Sequence, residues 1–243
     1  MIVSSKRLSR ITCLGILITL FSCETLSQLG GAIDLGNPTD SEINSGLKQA
    51  LEYGTTYASE QLSKEDGYFG NMAIRIVFPE EAKKLESTLR SIGLGSVCDK
   101  VILSVNRAAE DAAKEAKPIF VDAIKQMSIA DVRNILLGKD DAATTYFKQK
   151  TTASLESKFQ PIIASSLNKV GATKYWAEVI NRYNKIPLTS PVEADLSRYV
   201  TNKAIDGLFF EIAEEELKIR NNAAARSTLL LQKVFGYAEK QGS

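Results

Sequence analysis

Residues 194–220 read ADLSRYVTNKAIDGLFFEIAEEELKIR, a stretch without proline and with one glycine, Gly207. Placed at 100° per residue, Ala204, Ile205, Leu208, Ile212 and Ile219 form one stripe, and Tyr199, Phe210, Ala213 and Leu217 form a second on the opposite side. Apolar residues on two sides predict a helix packed from both, near the centre of an all-α, multi-helix bundle. Glu215 falls inside the first stripe and Asp206 inside the second. A carboxylate among apolar neighbours is costly unless paired, so both are candidate buried charges that require an Arg, a Lys or backbone donors.

Moving outward, the rest of the chain also reads as helices. Thr39 or Asp40 caps a first one that carries Ile43, Leu47, Ala50, Leu51 and Ala58 on one face, with Asp66-Gly67 closing it. Ile74, Ile76 and Phe78 alternate with Ala73, Arg75 and Val77, a strand-like period too short to define a sheet and therefore an extended connector laid against helices. Pro79 starts the next helix and Gly93 stops it. Ser96 to Lys117 is alanine-rich and helical, and Pro118 marks a break before IFVDAIKQM. Ser128 with Asp131 forms a capping box for IADVRNILL, closed by Gly138. Asp140 or Asp141 opens a long helix to Leu167, bent at Pro161. A short helix with Trp176, Val179, Ile180 and Tyr183 follows, then the turn-rich PLTSP, the central helix, and a last helix from Ala224 to Phe235.

The N-terminus is of another kind. Lys6, Arg7 and Arg10 precede a run from Ile11 to Phe21, shorter than the roughly 20 apolar residues a spanning helix needs. Basic start, short apolar middle and small-residue boundary are the parts of a secretory signal peptide. Leu20-Phe21-Ser22-Cys23 resembles the lipobox of bacterial lipoproteins, although Phe21 is bulkier than that pattern usually has. The resemblance implies cleavage before Cys23 and its acylation (palmitate or a similar fatty chain), with 1–22 as signal peptide. Two or more acyl chains anchor stably, each buried methylene contributing about 0.8 kcal/mol. Residues 23–39 are rich in Gly, Ser, Thr and Asn and form a tether with a reach of about 20–25 Å. A single domain over 40–236 and a tail over 237–243 complete the organisation. Glu24 stands where aspartate would signal inner-membrane retention, which favours the outer membrane, facing the periplasm.

Composition narrows the chemistry. Loss of residues 1–22 changes the formal net charge from +1 to −2, and so balanced a surface gives little counterion-release drive onto nucleic acid. Histidine is absent, which removes Ser-His and Cys-His pairs and histidine-ligated metals. Of the cysteines Cys13, Cys23 and Cys98, only Cys98 survives cleavage and acylation as a thiol, so no zinc site or internal disulfide is expected. Cys98 lies on a stripe with Leu94, Val101, Ile102 and Val105 and reads as a small buried hydrophobe. No phosphate-binding glycine motif is present, and neither metal nor cofactor is expected.

The run from Asn106 to Phe235 resembles a bacterial family catalogued as domain of unknown function 4197. The match is carried by NRAAE at 106–110, AKPIFVDAIKQM at 116–127, KVGATKYW at 169–176, YNKIP at 183–187, DGLFFEIAEEELKIR at 206–220 and KVFG at 233–236. One departure is Asn221-Asn222, where the family pattern has Asn-Pro. The resemblance implies an all-helical, exported bacterial protein and brings no activity, substrate or catalytic residue.

Among single residues, Arg107 could bind an anion, but Asp111 one turn on offers an ordinary ion pair. Glu214-Glu215-Glu216 could supply a ligand or acid, yet the three side chains diverge on a helix and Glu214 pairs with Lys218. Lys174-Tyr175-Trp176 is a possible stacking platform, outweighed by the core stripe that Trp176 shares with Val179, Ile180 and Tyr183. Three functions remain. The first is a noncatalytic, membrane-tethered module of the cell envelope that binds a protein partner or acts as an adaptor. The second is a carrier of an apolar ligand or lipid between leaflets, and the third a carboxylate-only hydrolase.

Overall fold

The computed structural model describes residues 36–241 apart from 174–175, 178–179 and 181–194. The signal peptide, Cys23, most of the tether, Lys174, Tyr175, Val179, Tyr183 and the PLTSP turn lie outside the described residues. Those described are all-α: α1 (Asp40–Leu62), α2 (Lys83–Ser91), α3 (Gly95–Ala113), α4 (Ala116–Lys125), α5 (Ile129–Leu136), α6 (Ala142–Lys169), α7 (Leu196–Asn221) and α8 (Leu229–Gln241), with single 3-10 turns at Glu80–Ala82 and Ala223–Ala225.

Two long helices organise the bundle. α6 packs against α3, α4, α5 and α7, and α1 packs against α4, α5, α7 and α8. The buried column of α6 is Phe147, Thr151, Leu155, Phe159, Ile163 and Leu167, a strict four-residue row. Four residues turn 400°, so this row winds around the helix and different neighbours cover it along its length. Phe120 of α4 meets Phe147 edge-on at 5.3 Å and Phe209 of α7 at 6.2 Å, tying three helices in one aromatic contact. Pro161 sits on the solvent side of α6, where water can reach the carbonyl it leaves unpaired.

The caps largely follow the sequence. Thr39 closes a full capping box with Glu42, and Ser128 closes one with Asp131. Gly93, at φ 85°, ends α2 in a Schellman motif, with Leu94 N–H donating to Leu89 at 2.9 Å and Gly93 N–H to Arg90 at 3.1 Å. Four expectations need correction. α1 stops at Leu62, before Asp66-Gly67. Pro118 lies inside the first turn of α4, where its missing N–H has no intrahelical acceptor, so the break falls earlier, at Lys114-Glu115. The last helix begins at Leu229 and runs on to Gln241, so most of the supposed tail is helical. Finally, the second stripe of α7 is covered only in part: Tyr199 packs against the core, but Phe210 is 40% and Leu217 39% exposed.

The connector behaves as its alternation predicts. Ile74, Ile76 and Phe78 are buried while Val77 faces out. It has a surrogate strand partner, the buried side chain of Asn106. Asn106 Oδ1 accepts from Ile76 N–H at 2.9 Å and Nδ2 donates to Ile76 C=O at 2.7 Å. One amide thus satisfies both backbone groups of Ile76, as a neighbouring strand would. Phe78 in turn packs on Trp176 at 5.6 Å, and both are core residues.

Candidate partner-binding face

The charged residues inside the fold serve its architecture. Glu216, with 6% of its side chain exposed, caps the start of α6 from another helix: Ala143 and Thr144 N–H each donate to it at 2.9 Å, and Thr144 Oγ1 at 2.8 Å. Arg220, one turn along α7, donates to the same carboxylate at 2.9 Å and to the α5 carbonyls of Ile135 at 2.7 Å and Leu136 at 3.2 Å. The end of α5 and the start of α6 are thereby fastened to α7 by one ion pair. Glu110 plays a similar part at the opposite loop, accepting from Tyr68 N–H at 3.1 Å, Phe69 N–H at 3.2 Å and Arg107 at 2.6 Å. Arg226, 3% exposed, donates to the carbonyls of Ile219 and Arg220 at the end of α7 and pairs with Glu239.

The residues singled out from sequence lie elsewhere. Asp206 is not buried: 72% of its side chain is exposed, and its contact with Lys203 is loose, at 3.8 Å. Glu215, with 15% of its side chain exposed, finds the lysine such a position requires in Lys218 at 3.1 Å, the partner expected of Glu214. Arg107 holds Glu110, Glu65 and Asp66, while Asp111 pairs with Lys114. The buried carboxylate of α7 is Glu216, which continues Ile205, Phe209, Ile212 and Ile219 at steps of four and three residues. That seam was the available signal: at 100° per residue Glu216 falls between Ile205 and Phe209, and a stripe drawn without Phe209 leans towards Leu208 and takes in Glu215 instead. Nothing in the spacing announced Asn106 or Arg226.

With the internal charges accounted for, the outward face of α7 stands out. Tyr199, Lys203, Asp206, Phe210, Ala213 and Leu217 follow one another at steps of four and three along it. Beside this seam runs an open groove of about 720 Å³, walled by the connector from Ala73 to Pro79, by Glu80 and Glu81 after it, and by Tyr199, Lys203, Asp206, Gly207 and Phe210. Tyr199 Oη donates to Val77 C=O across it at 2.8 Å, and burial of the ring pushes the phenol up to about 12. Val77, 42% exposed, adds an apolar side chain to the wall. At the far end Lys218 lies 5.3 Å over the ring of Tyr57, itself 42% exposed on α1. Between these ends Glu211 accepts from Asn71 Nδ2 at 2.7 Å; burial, with Glu215 and Glu214 beside it, pushes its carboxyl up.

A model of the family described as protein of unknown function (DUF4197) matches residues 37–236. The chain belongs to this family. None of the curated proteins and none of the solved structures matches it. Several of the words that carry the DUF4197 resemblance coincide with the fastenings above. NRAAE holds Asn106, Arg107 and Glu110, and DGLFFEIAEEELKIR holds Phe209, Glu216 and Arg220. It also holds Gly207, where an added Cβ would stand 2.7 Å from the ring of the fully buried Tyr68. The DUF4197 words are thus in large part instructions for closing the bundle.

Other concavities fit a ligand less well. The apolar cavity among Leu47, Leu51, Ile212, Ile219 and Phe235 has room for about 30 Å³, space for roughly one water rather than for an acyl chain. A groove of about 640 Å³ between α4 and α6 carries mixed charge from Asp122, Asp131, Lys150 and Lys158. Among the described residues no group of three or more Asp, Glu or Cys side chains is placed to hold a metal ion, and no helix is long and apolar enough to cross a membrane.

Proposed function

We propose that the chain is a noncatalytic helical module, held at a bacterial envelope membrane by acyl chains on Cys23, that binds a protein partner through the outward face of α7. The observation that carries the partner-binding half is the exposure of Phe210 and Leu217, in line with the partly buried Tyr199, beside the groove wall of Val77. Apolar and aromatic groups aligned at helix-packing spacing yet left in water are characteristic of recognition surfaces. Support for the anchor is the lipobox-like Leu20-Phe21-Ser22-Cys23, and its outer-membrane placement rests on Glu24. The carrier alternative has less support, because the apolar cavity is far smaller than a lipid tail requires.

The test is a photocrosslinking amino acid at position 210 of the full-length chain in native envelopes, with adducts identified by mass spectrometry. The expected result is a discrete protein adduct in the membrane fraction. Adducts to lipid alone, or none above those from a crosslinker placed at exposed Glu156 of α6, would overturn the reading.

A further inference from the structure

The geometry points to a second copy of the same chain as the occupant of this face, α7 packed antiparallel on α7 about a twofold axis; the inference rests on the partner-binding reading and gives that partner an identity. Tyr199, Lys203, Asp206 and Phe210 are spaced by four, three and four residues, the spacing of a helix–helix seam. Along the seam the order is aromatic, cation, anion, aromatic. Reversed, it becomes aromatic, anion, cation, aromatic. An antiparallel copy therefore sets each Lys203 opposite Asp206 of the other copy and each Tyr199 opposite Phe210 of the other, which makes the patch complementary to itself. Two ion pairs occupy the centre and two aromatic pairs flank them.

The side chains are free to do this. Within one chain Lys203 and Asp206 touch only at 3.8 Å and remain 49% and 72% exposed, so their charges are available to a second pair. Phe210 of the other copy would meet the groove wall formed by Val77 and Tyr199, and the small Ala213 allows close approach on the far side. Other occupants match less well. A lipid surface would bury both central charges in hydrocarbon. A strongly acidic peptide would be repelled by Glu80, Glu81 and Asp206 along the groove and seam.

Charge reversal tests this in the full-length lipidated chain, by sedimentation in detergent and by crosslinking from position 210 to a differently tagged copy. The wild-type chain is expected to self-associate. Lys203→Asp and Asp206→Lys, each placing like charges opposite one another, are expected to weaken the pair by at least about tenfold. The double reversal K203D/D206K is expected to restore it. Both side chains are exposed, and circular dichroism verifies that each variant is folded. A wild-type chain that stays monomeric, single reversals that leave association unchanged, or a double reversal that fails to restore it would overturn the proposal. A crosslink from position 210 to a different protein would overturn self-pairing while upholding α7 as the partner face.

Discussion

Glu216 shows how much can depend on one carboxylate. It replaces two missing acceptors at the start of α6 and neutralises Arg220, which in turn closes the end of α5. Glu216→Gln keeps the shape but leaves the guanidinium, with 10% of its side chain exposed, without its counter-charge. Loss of one member of a buried pair costs about 3–5 kcal/mol, so urea unfolding of Glu216→Gln is expected to give an unfolding free energy lower by that amount, seen as a lower midpoint with the slope unchanged. Asn106 offers a second case. Asn106→Ala strands the N–H and C=O of Ile76, at about 1–3 kcal/mol for each orphaned group, and the Ile76 amide is expected to exchange faster with solvent than in the parent chain. Neither role was readable beforehand. A wheel places residues on faces, but whether a polar residue on a face is met by a helix end or a connector depends on elements distant in sequence, here 30 residues for Asn106 and 73 for Glu216.

At the level of elements, caps were legible because they are written within four residues. Ser128 with Asp131 and Gly93 with its positive φ behave as their chemistry dictates. The first turn of α1 adds a pH dependence. Glu42 accepts from Lys233 Nζ at 2.7 Å and from Thr39 N–H, and these bonds hold its carboxyl at about 2, against an ordinary 4.5. Because the folded value is the lower one, the stabilisation is complete above pH 4.5 and disappears as pH falls towards 2. Glu42→Gln is therefore expected to flatten the acid limb of the stability profile between those values while changing the profile above pH 5 by little more than a constant offset. The opposite stripe of α7 was misplaced for a different reason. Apolar content identifies a face that can pack, and says nothing about whether this chain supplies the packing.

For the whole molecule, the all-α architecture followed from periodicity, because long helices with apolar stripes have few ways to bury them other than against one another. The candidate site did not, since the stripe that carries it looks like core until the connector and α1 are seen to pass beside it. The proposed membrane attachment predicts a separation of roles: Cys23→Ala should leave circular dichroism and the unfolding midpoint unaltered while moving the chain from the membrane to the soluble fraction. Unchanged partitioning would remove the anchor from the account. One further property comes from the pairing of the first helix with the last. Gly46 admits Val234 so closely that a Cβ would stand 2.7 Å from it, Thr228 donates to Gln49, and Lys233 reaches back to Glu42 across 191 residues. Leu47, Ala50 and Leu51 share a cavity wall with Phe235. The side of α1 that α8 covers is therefore closed by a segment lying almost the whole described chain away, after α4, α5 and α7 have taken their own places on α1. A chain cut before Leu229 would leave Gly46 without Val234 and Glu42 without Lys233, opening that side of α1 to water.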